Sequence, residues 1–256
     1  VMAGSVLTTA NKIFVGQDPL PIPVVLIIVL AVGAVIGLVN GFCMAKFKLH
    51  PYIVTLSTQL ILYGVILLYL KMGENNGQTL SSLSEGYRTL VTGTLFKVGG
   101  VAVPRYVLFA VILTILMWVI WNKTILGKNM FAVGSNEEAA NVSGVNVFKT
   151  IITVFMMAGM LYALTGFFEG ARIASINGAT GFNYEADAIA ACVIGGVSFV
   201  GGIGKISGII VGVLLLQLIF TGLNFLSVDQ NILYIVKGLV ILVSCAIDMR
   251  KYLVRK

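Results

Sequence analysis

The residues that could do chemistry in this chain are few, and their spacing argues against catalysis. The single histidine, His50, stands at a helix end, where neither a Ser-His-Asp triad nor a metal cluster can be built around it. The three cysteines, Cys43, Cys192 and Cys245, lie in apolar runs, where buried hydrophobic roles are expected rather than metal ligation or disulfides. We therefore expect no enzymatic activity, no metal site and no cofactor in this chain.

A glycine-rich stretch at residues 195–205 invites comparison with a phosphate-binding loop. Walker spacing would require glycine in place of Phe199 and serine or threonine in place of Ile206. The pattern therefore favours a close-packed break between helices, formed by Gly195, Gly196, Gly201, Gly202 and Gly204.

Polar side chains within or beside the apolar runs are candidates for lining a solute path. An ionised group at mid-bilayer costs at least about 2.5–3.5 kcal/mol, so each is expected to be paired or functional. Lys237 could snorkel outward or pair with a carboxylate such as Asp229. The path candidates are Glu169, Arg172, Glu185, Asp187, Gln217, Thr221 and Asn224. Structural roles in ion pairing, helix capping and interhelical packing remain open for them.

The polar stretch at residues 123–149 is predicted to be a loop that carries one short helix. Asn136 can cap this helix, Glu137 and Glu138 lie at the positive end of its dipole, and Gly144 can end it in a left-handed conformation. Ala139 and Ala140 between them have small side chains, which allow close approach to a partner. A surface that couples to a partner would comprise Asn136, Glu137, Glu138, Ala139, Ala140, Ser143 and Gly144, although a capped helix without a partner explains the same pattern.

Composition places these elements in a membrane. The chain is 58% hydrophobic and 11% charged, with a mean hydropathy of +1.01, whereas soluble domains are about 45–50% apolar and about 25% charged. The net charge of +7 fits lysine and arginine retained on the cytoplasmic side and does not imply nucleic acid.

The apolar runs predict an all-helical, polytopic transmembrane bundle that forms a single domain over residues 1–256. A span needs about 20 apolar residues. Seven candidates follow a stub at 1–10: residues 22–42, 51–70, 106–121, 150–168, 186–200, 206–223 and 232–247. No signal peptide is visible, and because the chain starts inside apolar sequence we expect it to begin partway along a helix.

Loop charges predict the orientation of the bundle. If residues 45–50 are cytoplasmic, alternation of the spans places ten basic residues inside and six outside. Residues 123–149 are then cytoplasmic, and residues 71–103 form the longest extracytoplasmic loop. That loop is either a landing surface for an external partner or a simple tether.

Four motifs resemble the ribose- and galactose-type permeases of ATP-binding-cassette (ABC) importers. They are GKNMFAVGSNEEAA with SGVNV at 127–147, YEADAIAACVIGGVS at 184–198, VKGLVIL at 236–242 and FEGARI at 168–173. The resemblance implies the fold of the ribose and branched-chain amino acid permease type, in a bacterial plasma membrane. It also implies an N-terminal region with further helices ahead of this chain, and that residues 123–149 couple the permease to ATP hydrolysis.

Partners and solute are further implications of the resemblance. They are a second permease copy, a separate ATPase that binds ATP and magnesium, an extracytoplasmic sugar-binding protein, and the surrounding lipid. The solute implied is a monosaccharide, galactose or a methyl galactoside. Alternatives are another sugar such as ribose, a branched-chain amino acid, which would need paired charges deep in the path, or an ion-coupled secondary transporter or channel with mid-membrane acids.

Overall fold

The computed structural model of this chain describes residues 2–7, 13, 20–81, 83–198 and 200–253. Residues 1 and 8–10 of the predicted stub, and Lys12, Arg255 and Lys256 of the orientation count, lie outside these ranges. The helices are α1 Met2–Val6, α2 Ile22–Phe47, α3 Pro51–Leu70, α4 Glu85–Thr92, α5 Arg105–Lys123, α6 Ile125–Ser135, α7 Glu137–Val142, α8 Val147–Ile173, α9 Tyr184–Ile194, α10 Ile206–Phe225 and α11 Gln230–Leu253. Strands β1 Thr94–Val98 and β2 Val101–Pro104 form one antiparallel hairpin. The predicted helical class is confirmed.

Five of the described helices, α2, α3, α5, α8 and α10, are long and apolar enough to span a membrane. They coincide with five of the predicted spans. Helix α2 runs about one turn further than predicted and ends where Lys48 adopts a left-handed conformation, three residues before Pro51 begins α3. The side chain of His50 caps α3 by accepting a hydrogen bond from the amide of Tyr52 at 3.4 Å.

The predicted spans 186–200 and 232–247 differ from the structure in extent. Helix α9 has 11 residues and rises about 16 Å, which is too short for a hydrocarbon core of roughly 30 Å. It stops at Gly195, ahead of the predicted end at residue 200, because Gly196 adopts a left-handed conformation with φ of 80°. Helix α11 is longer than predicted, but its apolar part covers only Asn231–Ser244.

The chain divides into two compact units, residues 1–113 with 148–180, and residues 114–147 with 181–256. In the first unit, glycines hold α2 against α8. Gly33, Gly37 and Gly41 recur every four residues along α2 and all are buried. A Cβ added to Gly37 would collide with the backbone of Phe155, and one added to Gly159 would collide with the carbonyl of Gly33. Small residues at such an interface let helix backbones approach closely.

The buried cluster of the first unit includes residues of the predicted extracytoplasmic segment, 71–103. Tyr87 of α4 is fully buried against the end of α8, where its hydroxyl donates to the carbonyl of Phe167. Leu80 pairs with Ile176 through two backbone hydrogen bonds of 2.8 and 2.9 Å. Within 71–103 the structure thus has a docked helix and a hairpin in addition to loops.

In the second unit, α9 packs on both α10 and α11 around Ala190, Ala191 and Leu216. Glycines again set the distance, because a Cβ on Gly212 would collide with the carbonyl of Ala191 and one on Gly208 with that of Gly195.

Candidate functional site

The predicted short helix in the polar stretch forms as α7, Glu137–Val142. The side chain of Asn136 accepts a hydrogen bond from the amide of Ala139 at 2.9 Å and caps the N-terminus, where Glu137 and Glu138 lie in the first turn. Asparagine is a preferred N-cap residue, and carboxylates stabilise the positive end of the helix dipole.

The C-terminus of α7 closes with a Schellman motif. The amide of Val145 donates to the carbonyl of Ala140, and the amide of Gly144 donates to that of Asn141, both at 3.0 Å. Gly144 occupies the left-handed position with φ of 84°. Ser143 adds a hydrogen bond from its hydroxyl to the carbonyl of Ala139 at 2.8 Å. Both helix ends are therefore fixed locally, and α7 is a compact rigid element.

Exposure on α7 marks which side could meet a partner. Ala140 is buried against its own unit, whereas the other residues from Asn136 to Gly144 are exposed. Val142 is 90% exposed, an unusual position for an apolar side chain at the end of a polar helix. The coupling residues that the sequence predicts do not include Val142. An apolar residue at the end of an otherwise polar short helix is the signal for it in the sequence.

Helix α6 precedes α7 directly and was not predicted, because Gly127 and Gly134 disfavour a helix on propensity alone. Thr124 caps it by accepting a hydrogen bond from the amide of Gly127 at 3.2 Å. The ring of Phe131 packs edge-on against Trp121 with centroids 5.3 Å apart.

The end of α6 contacts the glycine-rich stretch backbone to backbone. Gly201 and Gly202 have φ of 100° and 70°, and a Cβ on either would collide with Gly134 or Ser135. The remaining glycines of the stretch lie at the end of α9, at Gly195 and Gly196, and beside Val197, at Gly204. The stretch therefore joins the α6–α7 segment to the α9–α10 connection within one unit.

Glu169 and Arg172, two of the path candidates, form an ion pair at the end of α8. Two hydrogen bonds of 2.8 and 2.6 Å join the guanidinium to the carboxylate in bidentate geometry. The Glu169 side chain is 16% exposed and that of Arg172 is 51% exposed. Bidentate pairs of this kind are among the stronger ion pairs.

Lys237 pairs with a carboxylate, as one of the two alternatives from the sequence has it, but the partner is Asp187 and not the suggested Asp229. Its Nζ lies 2.8 Å from the carboxylate of Asp187 on α9 and 4.8 Å from the centroid of the Phe220 ring. Asp229 instead accepts a hydrogen bond from the amide of Asn231 at 2.7 Å, at the start of α11. Asp187 is 50 residues away in sequence, so only the packing of α9 on α11 brings it to Lys237.

The other path candidates are spread along their helices. Glu185 is exposed in the first turn of α9. Gln217 donates to the hydroxyl of Thr221 at 3.3 Å, one turn further along α10, and Asn224 follows on the same helix. All three α10 side chains are exposed. Their role in a solute path stays a prediction.

Comparison with known proteins gives a consistent result. Residues 1–245 match the family model described as branched-chain amino acid transport system / permease component. The chain is 44% identical over 246 residues to the galactose/methyl galactoside import permease protein MglC of Haemophilus influenzae, covering 96% of this chain and 72% of that protein. The same permease of Escherichia coli is 41% identical over 250 residues, covering 98% and 74%.

A ribose permease is also similar. The ribose import permease protein RbsC of Escherichia coli is 38% identical over 226 residues, covering 87% of this chain and 67% of that protein. No solved structure matches the chain.

Proposed function

We propose that this chain, which belongs to the family described as branched-chain amino acid transport system / permease component, imports galactose or methyl galactosides as the permease subunit of an ABC transporter. Two galactose/methyl galactoside import permeases are 41–44% identical to it. It is a multi-pass protein of the inner membrane with five apolar helices among the described residues.

The single observation that carries this proposal is α7. A permease without a nucleotide site must receive the motion of a separate ATPase through a rigid element. Helix α7 is capped at both ends, and all of its residues except Ala140 are exposed. Its acidic first turn and exposed Val142 offer a mixed polar and apolar surface to a groove on the ATPase. ATP and magnesium would be held by that partner.

The membrane-spanning charges favour a neutral solute over an amino acid. A zwitterion would be held best by two opposite charges facing the path. Four of the described charges form ion pairs within their own units instead, Glu169 with Arg172 and Asp187 with Lys237. A neutral sugar needs only hydrogen bonds and apolar contacts.

The complex that we propose contains two permease copies, the ATPase and an extracytoplasmic sugar-binding protein. One permease supplies a single α7, whereas a two-site ATPase offers two equivalent grooves, so a symmetric pair uses both. Mass measurement of the purified, active complex tests this stoichiometry. One permease copy per active complex would exclude the pair.

Transport in proteoliposomes tests the function. The permease is reconstituted with its ATPase and binding protein, and the uptake of labelled galactose, ribose and leucine is measured with ATP inside. We expect galactose uptake that requires ATP and continues when an ionophore is added. We also expect the sugar-loaded binding protein to stimulate ATP hydrolysis.

Each other outcome separates the alternatives. A preference for leucine would refute the sugar assignment, and a preference for ribose would refute galactose alone. Uptake that stops with the ionophore and continues without ATP would instead indicate a secondary transporter.

A further inference from the structure

A polar stripe runs along the membrane-spanning helix α3. Thr55, Gln59 and Tyr63 recur every four residues and fall within about 80° of one another at 3.6 residues per turn. All three side chains are exposed on the chain. Polar side chains in a membrane span almost always face a protein interior or a water-filled cavity, because lipid offers them no hydrogen bonds. The Thr55 hydroxyl donates to the carbonyls of Pro51 and Tyr52 within α3. Gln59 and Tyr63 are therefore the residues of this face that are least suited to lipid.

A crevice opens beside the first residue of this stripe. It has a volume of about 230 Å³ and lies between α2, α3 and α8, all in one compact unit. Gly37 and Gly159 line it where α2 and α8 pack backbone to backbone. Asn40, Thr55 and Tyr162 bring polar groups to its wall.

Asn40 is held in a defined orientation. Its carbonyl oxygen accepts a hydrogen bond of 2.6 Å from the hydroxyl of Thr58 on α3. An amide whose oxygen is bound in this way presents its two N–H groups as donors. Asn40 lies past the middle of α2, within its apolar stretch. Its amide nitrogen can therefore donate to a solute hydroxyl in the crevice.

Tyr162 is the most unusual of the lining residues. It lies near the middle of the 27-residue helix α8 and is 74% exposed. Tyrosines of membrane proteins concentrate at the two water interfaces, so an exposed one at mid-span indicates contact with something other than lipid. Its ring offers an apolar face against which the C–H face of a pyranose can pack, with a hydroxyl at its edge.

The size and charge of the crevice select among solutes. No described residue that lines it is charged, so it offers nothing for the two charges of an amino acid. Pockets that bind drug-sized ligands have volumes of about 300–1,000 Å³. The smaller volume of this crevice suits a single sugar ring. With few polar groups on its wall, binding would be weak, which allows onward release.

We propose that this crevice is a transient binding site for one neutral monosaccharide on its way through the permease. The sugar would pack on Tyr162 and accept hydrogen bonds from Asn40, and the stripe from Thr55 to Tyr63 would continue the hydrated path. This inference rests on the proposed transport function and adds the residues that the sugar touches.

Cysteine labelling in the assembled transporter tests the site. Thr55→Cys, Gln59→Cys and Tyr162→Cys are treated with a hydrophilic thiol reagent, with Ile61→Cys as the control. Ile61 is 65% exposed on the opposite side of α3 and outside the crevice. The variants are made after the native cysteines are replaced, so that only the introduced thiol reacts.

We expect the three path cysteines to react at least about tenfold faster than Ile61→Cys, since hydrophilic reagents reach thiols through water. Saturating galactose delivered by the binding protein should slow Thr55→Cys, which lines the crevice and keeps Tyr162 and Asn40 in place, and should leave Ile61→Cys unchanged. Reaction only with a lipid-soluble reagent would show lipid at this face. No reaction with either would show a covering helix, and reaction that sugar does not slow would show water without a sugar site. Each of these results overturns the proposal.

Transport by Tyr162→Leu, Tyr162→Phe and Asn40→Leu gives a second readout. We expect the leucine variants to lose at least about tenfold in sugar moved per ATP hydrolysed, equivalent to about 1.4 kcal/mol, and Tyr162→Phe to keep most of it. If the wild type fails to move galactose, the proposed function fails while the labelling still decides whether the crevice is hydrated. If the wild type moves galactose and the variants match it within twofold, the crevice proposal alone fails.

Discussion

Lys237 Nζ lies 2.8 Å from the carboxylate of Asp187, and this contact ties α11 to α9 across 50 residues of sequence. The lysine side chain is 24% exposed and the aspartate 34%. Neither group is fully hydrated, so each relies on the other to offset lost solvation.

The first prediction follows from this pairing. Lys237→Met leaves Asp187 half-buried beside an apolar side chain, and we expect it to lower the free energy of unfolding by about 1–3 kcal/mol. The double variant Lys237→Met with Asp187→Leu should recover most of this loss, because no unpaired charge remains. Thermal unfolding of the purified permease in detergent measures both. Additive losses in the double variant would mean that the two residues act independently.

The second prediction concerns pH and Tyr87. Burial raises the pKa of the Tyr87 phenol, so the folded chain favours the neutral form. Its contribution to stability is fully present below the unfolded-state pKa of about 10 and is lost as the pH rises above it.

Thermal unfolding between roughly pH 8 and pH 11 checks this, with Tyr87→Phe as the comparison. The variant should be less stable by about 0.5–1.5 kcal/mol at the lower pH, since the hydrogen bond to Phe167 is gone. The difference between the two proteins should shrink at the higher pH. A constant difference across this range would contradict the role of the phenol.

Features that depend on residues close together in the sequence could be predicted from the sequence, and those that depend on contacts between distant segments could not. The spans of α2, α3, α5, α8 and α10 could be predicted because hydropathy is a property of each segment alone. The caps of α7 could be predicted for the same reason, since Asn136 and Gly144 act within a few residues.

Interactions between distant segments could not be predicted. The partner of Lys237 depends on how α9 packs on α11, and the docking of Tyr87 depends on the end of α8. Helix α4 was missed although Tyr87 and Val91, both fully buried, stand four apart on one face. That spacing was visible in the sequence, but the glycine, serine and threonine around it favoured a loop.

The third prediction tests the glycine contact between α2 and α8. Gly37→Ala places a Cβ against the backbone of Phe155, which cannot move as a flexible side chain would. Overpacking of this kind costs about 1–3 kcal/mol. Gly64→Ala is the matched control, because the same change in α3 meets open space and should stabilise the helix by up to about 1 kcal/mol. Equal unfolding temperatures for both variants would argue against a close α2–α8 contact.

The fourth prediction is the orientation in the membrane. Ser135→Cys should react with an impermeant thiol reagent from the cytoplasmic side and Ser81→Cys from the opposite side, both positions being exposed. Ser82, an equivalent choice from the sequence, lies outside the described residues. Right-side-out and inverted vesicles, with the unsubstituted chain as the blank, provide the measurement. Labelling of both positions from one side would overturn the topology.

The fifth prediction tests α7 as the coupling element. Gly144→Arg places a long charged side chain at the C-terminal cap of α7, where the proposed ATPase groove would close. We expect insertion into the membrane to persist and sugar uptake to fall at least about tenfold, equivalent to about 1.4 kcal/mol of lost coupling. Stimulation of ATP hydrolysis by the loaded binding protein should fall with it.

Gly100→Arg controls for the backbone strain in that experiment. Gly100 in the hairpin turn has φ of 88°, close to the 84° of Gly144, and a Cβ at either position meets open space. Both variants therefore lose a similar amount of folding free energy, because each places a non-glycine residue in the left-handed region. Only Gly144 adjoins α7, so the control should transport the sugar at a rate near that of the wild type. Equal loss in both variants would attribute the defect to strain, and wild-type uptake by a well-inserted Gly144→Arg would remove the basis for assigning coupling to α7.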